Sequence, residues 1–469
     1  MKENRPPHNG WLFLFLGIQY LSSALLLLPA SQPYRMFIRA LPYAASLGLL
    51  LIYLIRHRRG EALAPWSRLL FFAMLLLFVS LLHPSTNLPA GVGQLIFQLS
   101  IVAPAFWAAY WVHDKRTLSA LIWIVFFASA LSSIVGVLQV YYPAVFMPRE
   151  FSSLALQLNP YAITSLTYIG ADGRELVRPP GLTDYPGGAA VAGMTTALLG
   201  LLLSITLGAS TTRRLACLGL GSVGLVVLYL TQIRSLLMML LISLVVVALL
   251  LLRQGRFAAS VNLGVTTAFL VSAAFVWAIR VGGESVYERF RGLIDVGPVA
   301  SYQLSRGGFL EYTFRELLFS FPFGAGVGRW GMMQVYFDRG DPSHSPPIHA
   351  EIQLTGWLLD GGILMWVLYG GAVLSAMIFA YKALVGFRDP TTRGLTLIVF
   401  ATNLVIAGQT LAGPTFNTQM GIQFWLMVTA LHRVTRAKTS RAKVFARPRL
   451  VVRRPAAQLP HHAPGLIDP

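Results

Sequence analysis

Apolar runs of about twenty residues, the length a helix needs to cross a hydrocarbon layer, recur along this chain between short basic connections. Residues 235–252 and 257–279 are the plainest, and neither contains an acidic side chain. A backbone in lipid must satisfy its own hydrogen bonds, so runs of this kind are predicted as helices. The pattern predicts about twelve spans, near 10–30, 36–55, 67–83, 92–112, 117–141, 186–207, 214–232, 235–252, 257–279, 351–380, 394–412 and 417–432. The fold class that follows is an all-α polytopic membrane protein.

The connections alternate in charge. Arg56, Arg58, Arg59 and Arg68 fill one, Lys115 and Arg116 the next, then Arg213 with Arg214, Arg253 with Arg256, and Lys382, Arg388 and Arg393. Lys and Arg collect in cytoplasmic loops, so these connections are expected inside. Both termini then face the cytoplasm, and two long loops, about 142–185 and 280–350, face the periplasm and carry short surface helices. Loops of that length are commonly functional. Arg35 and Arg39, at the first outer turn, run against the alternation. The first segment follows Lys2 and Arg5 without a small-residue cleavage site, which predicts a retained span.

The domain organisation is therefore a transmembrane unit over 1–432 and a tail over 433–469. The tail holds Arg433, Arg436, Lys438, Arg441, Lys443, Arg447, Arg449, Arg453 and Arg454 with several prolines. It is expected to be disordered, cytoplasmic and able to lie on anionic membrane lipids.

Composition agrees with lipid as the solvent: 55% of the 469 residues are hydrophobic, 12% are charged and the mean hydropathy is +0.63. Soluble domains carry about 25% charged residues. The net charge of +19 does not point to nucleic acid, because its basic residues lie between apolar spans and not on a soluble basic face. The single cysteine, Cys217, lies in an apolar stretch and excludes an intrachain disulfide. The spans hold almost no ionisable residues away from their ends, whereas ion-coupled transporters keep such groups at membrane depth.

The chemically capable residues gather in the outer loops. In the second, Leu310, Phe314, Leu317 and Leu318 recur at helical spacing, with Glu311 and Arg315 four apart on another face, which predicts an amphipathic surface helix. The glycines of Pro322-Phe323-Gly324-Ala325-Gly326-Val327-Gly328 suit a tight turn. The loop ends in Asp338, Asp341, His344, Pro346, Pro347 and His349, with Glu351 following and the next span beginning near Ala350. A histidine at a helix start on the outer side can accept a proton near neutral pH. Arg234, in a short outer turn, Arg178, before Pro179-Pro180-Gly181, and Arg306, opening the surface helix, offer rigid forks of donors that suit phosphate oxygens. A metal site built from Asp338, Asp341, His344 and His349 is the competing chemistry. Its spacing matches no standard zinc motif, and Pro342, Pro346 and Pro347 prevent a continuous helix there.

The order of these elements resembles the O-antigen ligase/O-antigen polymerase superfamily. The likeness runs from about Arg178 to Ile363, through Arg178-Pro179-Pro180-Gly181-Leu182-Thr183-Asp184, Thr231-Gln232-Ile233-Arg234-Ser235, Arg306, the glycine-rich turn, His349 with Glu351-Ile352-Gln353-Leu354, and Asp360-Gly361-Gly362-Ile363. It implies an inner-membrane glycosyltransferase that takes glycan from an undecaprenyl-diphosphate-linked donor without a metal or other cofactor. His349 would be the base, with Arg234 and Arg306 on the diphosphate, Arg178 a third cation, and His344 and Glu351 secondary candidates. The acceptor is either another lipid-linked glycan, for a polymerase, or lipid A-core, for a ligase. Ala350 stands where many members carry Asn after the histidine. A lipid-linked-sugar flippase or other polysaccharide transporter is the alternative from another class.

Overall fold

The structure is a computed structural model that describes residues 9–56, 63–148, 151, 166–206, 210–337, 348–387 and 389–445. It is an all-α membrane protein in architecture, and each of the predicted spans falls on a helix. Among the described residues nine helices are long and apolar enough to cross a membrane, and Gly10–Leu25 and Pro65–Ser80 are shorter apolar helices. The elements used below are α1 (Gly10–Leu25), α2 (Arg35–Arg56), α3 (Pro65–Ser80), α4 (Leu88–Val102), α5 (Pro104–Trp111) and α6 (Lys115–Tyr141). A two-stranded antiparallel hairpin, β1 (Thr167–Ile169) and β2 (Glu175–Val177), follows and is the departure from a purely helical chain. Next come α7 (Ala189–Thr206), α8 (Thr211–Leu230), α9 (Arg234–Arg253), α10 (Phe257–Gly282) and α11 (Glu284–Asp295).

The surface helix, α12, runs over 298–320 and is longer than expected, with two π-turns at Gln303–Gly307 and Thr313–Leu317. Each π-turn adds residues to a turn and so breaks the 3.6-residue period on which the predicted apolar stripe rested. Leu317 and Thr313 are buried, whereas Phe314 is exposed and meets Trp366 at a ring-centroid distance of 5.2 Å. The Glu311–Arg315 pair forms as expected, at 2.8 Å. The remaining elements are α13 (Gly331–Phe337), α14 (Gln353–Gly386), α15 (Pro390–Gly408) and α16 (Gln419–Phe445). The last continues well past His432: residues 433–447 contain no glycine or proline, and their Arg, Lys and Ala favour helix.

Helix starts follow local rules. Asp114 caps α6 by accepting from the Thr117 amide at 2.8 Å, and Asp389 caps α15 by accepting from the Thr392 amide at 3.0 Å. These caps also tie one end of the bundle together, because Lys115 Nζ lies 2.6 Å from Asp389 Oδ2. Arg253 donates to the Tyr381 hydroxyl at 3.0 Å at the same end. The two long loops meet at the opposite end, where the Ala171 amide donates to Val281 O at 3.3 Å and Ser285 Oγ donates to Ile169 O at 2.9 Å.

Arg35 and Arg39 belong to that second end and face a buried carboxylate, Asp184. Arg39 is hydrogen-bonded to it, and Arg35 Nε lies 3.9 Å away. Their exception to the charge alternation is thus an ion pair between the start of α2 and the first long loop. Helices α7 and α8 approach through small residues. A Cβ on Gly193 would meet Gly224 O at 2.7 Å, and one on Gly200 would meet Cys217 O at 2.5 Å. This contact, common between membrane helices, sets the segment before α7 beside the turn after α8.

Candidate functional site

Four arginines reach the loop-bearing end from four different elements. Arg178 leaves the hairpin just after β2, fixed by its own amide donating to Leu166 O at 2.8 Å and its carbonyl accepting from Gly187 at 2.9 Å. Gly187 touches Ile233 as well: a Cβ there would lie 3.4 Å from Ile233 Cδ1 and 3.9 Å from Arg178 Cβ. Ile233 ends the turn between α8 and α9, and Arg234 is the first residue of α9. That turn is tight enough to put Gln232 at φ 57°, the left-handed region where a non-glycine residue is strained. The Gln232 side chain is buried, and its Nε2 has no hydrogen-bond partner among the described residues.

Arg289 was not distinguished by the sequence, where it sits in a run of charges from Glu288 to Arg291. Its helix, α11, buries Val286 and Phe290, the latter against Tyr229 at 4.9 Å. Arg291 is held by Asp295 at 3.0 Å and lies 5.8 Å from the Tyr287 ring centroid. Arg289 instead turns toward the other cations. The protein around it, and then Arg234, pull its guanidinium below the ordinary arginine value. Arg178 is lowered to about 10, first by burial and then by Arg289, against partial relief from Tyr168 and Tyr185. Arg234 Nη1 lies 3.9 Å from the point where a Cβ on Gly292 would sit, so that glycine leaves room for the guanidinium. No salt bridge from Arg178, Arg234 or Arg289 to an acid occurs among the described residues. Arg178 Nε and the Tyr168 hydroxyl are buried without hydrogen-bond partners there. Among the described residues these like charges therefore lie together without counter-charge, beside unsatisfied donors.

The fourth arginine is placed by the first π-turn of α12. Arg306 donates from Nη1 to Glu351 Oε2, and Glu351 Oε1 lies 2.8 Å from His349 Nε2. The His349 ring is exposed and sits 5.9 Å from the Phe309 ring. His349 does not stand at a helix start, as the sequence suggested. It lies in an extended stretch, and the first helical residue is Gln353, because Ile348 is pinned by its amide to Arg329 O at 3.2 Å and Ile352 adopts β geometry.

Tyr185 joins the two halves of the site. Its hydroxyl is raised by the surrounding protein and by Glu351, and is lowered in part by Arg178 and Arg306. It is the second residue the sequence did not single out. Thus Arg178, Arg234 and Arg289 form one group and Arg306, Glu351 and His349 another, with Tyr185 sensing charges of both.

No established family profile and no curated protein matches the sequence. The remaining motif residues are accounted for by packing. Gly324, Gly326 and Gly328 all have φ between 79° and 103°. Ala325 donates to Leu359 O at 2.7 Å and Ile363 to Pro322 O at 2.9 Å, which locks this turn against the break in α14 at Gly361 and Gly362. Asp360 is buried there, accepting from Trp330 Nε1 at 2.9 Å. This glycine turn is a structural joint. Asp338, Asp341 and His344 lie outside the described residues. Among those that are described, no three His, Cys, Asp or Glu side chains gather as metal ligands.

Proposed function

We propose that the protein is an inner-membrane glycosyltransferase of the O-antigen ligase/polymerase type, with twelve spans and its site at the periplasmic face. It moves glycan from an undecaprenyl-diphosphate-linked donor to a sugar hydroxyl, on a second lipid-linked glycan or on lipid A-core. The observation that supports this reading is the meeting of four arginines with a His–Glu pair at one end of an apolar bundle. A diphosphate supplies the negative charge that Arg178, Arg234 and Arg289 lack among the described residues and competes with Glu351 for Arg306, and a histidine supplies the base that transfer to a hydroxyl requires.

The chemistry balances without a metal. The acceptor oxygen attacks the anomeric carbon as the bond from that carbon to the diphosphate oxygen breaks, and undecaprenyl diphosphate leaves. The negative charge that develops on the leaving oxygens is stabilised by fixed guanidiniums already in place. Glu351 accepts a hydrogen bond from the N–H at His349 Nε2, which leaves the Nδ1 lone pair to take the acceptor's proton as the histidine becomes imidazolium. Attack opposite the leaving group inverts the anomeric centre.

The test is purified protein in liposomes with a diphosphate-linked glycan donor and a glycan acceptor. Transfer is expected from the wild type and is expected to vanish in His349→Ala and Arg234→Ala. Movement of intact donor across the bilayer with no new glycosidic bond would make the protein a flippase instead.

A further inference from the structure

At the end of the bundle opposite the arginine site, a groove of about 340 Å³ lies between α6 and α8. The two helices touch toward their far ends, where a Cβ on Gly136 would meet Val227 Cγ2 at 2.7 Å. Nearer their starts the groove separates them. On α8 its lining side chains include Arg213, Cys217 and Leu220, which share one helix face and span about 10 Å. On α6 Trp123 stacks on Phe127 with ring centroids 5.4 Å apart and an interplanar angle of 24°, which makes a flat aromatic wall. Phe127 and Ala216 are exposed whereas Phe126 and Cys217 are buried, so the mouth faces lipid and the floor faces the bundle. We infer that this groove binds one anionic phospholipid, with its phosphate on Arg213 and an acyl chain along the Trp123–Phe127 wall. The site is separate from the arginine cluster and does not depend on the transfer chemistry proposed there.

Charge and shape together select the occupant. Arg213 is the one charged side chain among the described lining residues, and the others are apolar. It makes no ion pair among the described residues. Other cations at this end have partners: Lys115 has Asp389, and Arg253 donates to the Tyr381 hydroxyl. A guanidinium presents two parallel donors that match the oxygens of a phosphodiester. The apolar wall beneath it has no use for a free phosphate but matches the chain that a phospholipid carries below its head. Arg214 follows Arg213 and is exposed, so a headgroup that carries its own ammonium meets like charge at the mouth. A headgroup with net negative charge does not. The charge alternation predicts that this end is cytoplasmic, and the cytoplasmic leaflet is the anionic one.

The experiment uses the full chain in phosphatidylcholine nanodiscs doped with phosphatidylglycerol or phosphatidylethanolamine, each bearing a diazirine in the upper part of one acyl chain. Crosslinked peptides are mapped by mass spectrometry. Residues 123–127 and 216–220 are expected to be labelled about fivefold more by the phosphatidylglycerol probe, the scale of one basic residue near an anionic surface. Arg213→Gln is expected to equalise the two probes at those peptides. Ala216→Phe, which fills the groove, is expected to remove labelling by both. Arg256→Gln, a cation at the same end but outside the groove, is expected to leave the preference intact. Glycerol phosphate in solution is expected not to compete. Gel filtration and melting temperature confirm that each variant is folded. Equal labelling by the two probes in the wild type would overturn the site, as would a preference that survives Arg213→Gln. A preference lost equally in Arg256→Gln would make the effect a property of the whole basic surface, and competition by glycerol phosphate would remove the bilayer as the source.

Discussion

Glu351 Oε1 lies 2.8 Å from His349 Nε2 while the other oxygen of the same carboxylate accepts from Arg306. One side chain thus orients the base and occupies a cation. A diphosphate arriving at Arg306 competes for that guanidinium with a larger charge, and a Glu351 released from Arg306 still holds His349. Glu351→Gln is expected to cut transfer about 10-fold to 100-fold, the scale of a lost hydrogen bond to a charged group. Donor affinity should stay within a factor of two or three, roughly the scatter of a surface substitution. Donor titration beside single-turnover transfer separates the two effects.

Arg289→Ala is expected to act with opposite signs on stability and on function. A cation whose folded pKa is depressed destabilises the fold at every pH below that value, and Arg178, lowered to about 10 in part by Arg289, is charged throughout the neutral range. Removing Arg289 relieves this, so the donor-free protein should melt slightly higher at pH 7. Donor affinity should fall about tenfold, as for one charge-assisted hydrogen bond. A lower melting temperature with unchanged affinity would make Arg289 a structural residue.

The Asp184 pair predicts a stability defect of another kind. Asp184→Asn leaves Arg35 and Arg39 facing each other at a buried position, where breaking one partner of an ion pair costs about 3–5 kcal/mol. The double variant Asp184→Leu with Arg39→Met should recover much of that loss. Thermal unfolding in detergent reads both.

Gly362→Ala should fail as a fold and not as a site. The residue has φ 67°, and a Cβ would lie 2.1 Å from Pro322 O. Stability is expected to fall by more than about 4 kcal/mol, read as a sharp drop in expression and melting temperature, while any folded fraction keeps its donor affinity.

Sidedness can be read with thiols, because Cys217 is buried and is the chain's single cysteine. In a Cys217→Ala background, Ser285→Cys should react with a membrane-impermeant reagent in intact spheroplasts. Gln254→Cys should react only after permeabilisation. The reverse pattern would invert the bundle.

Much of this architecture was legible from hydropathy alone, because a lipid solvent leaves a chain few options besides helices. Arg178, Arg234 and Arg306 stood out because each lies in an outer segment beside a turn or proline motif. Arg289 did not: a cation among Glu288, Glu284 and Arg291 reads as an ordinary solvated face, and only the packing of Phe290 against Tyr229 turns it toward Arg234. Tyr185 was equally silent, since two of the charged groups that act on it, Arg306 and Glu351, come from segments more than a hundred residues distant. The glycine turn was read as a turn, but its lock on the break in α14 is a long-range contact that no local pattern encodes. The π-turns of α12 are invisible to a periodicity argument by their nature, since they are departures from the period.

Those π-turns make the surface helix unusually sensitive to a change of length. An α-helix rotates about 100° per residue, and a π-turn is the trace of an added residue that the rest of the helix has absorbed. Losing one residue between Gln303 and Gly307 would let the helix close into regular α geometry, with Thr313 still against Thr355 on α14, where their hydroxyls lie 2.6 Å apart. The loss would fall on Arg306, swung away from Glu351 by about a quarter of a turn. Homologous sequences related to this one by a gap at that place would keep the scaffold and lose the link from arginine to base.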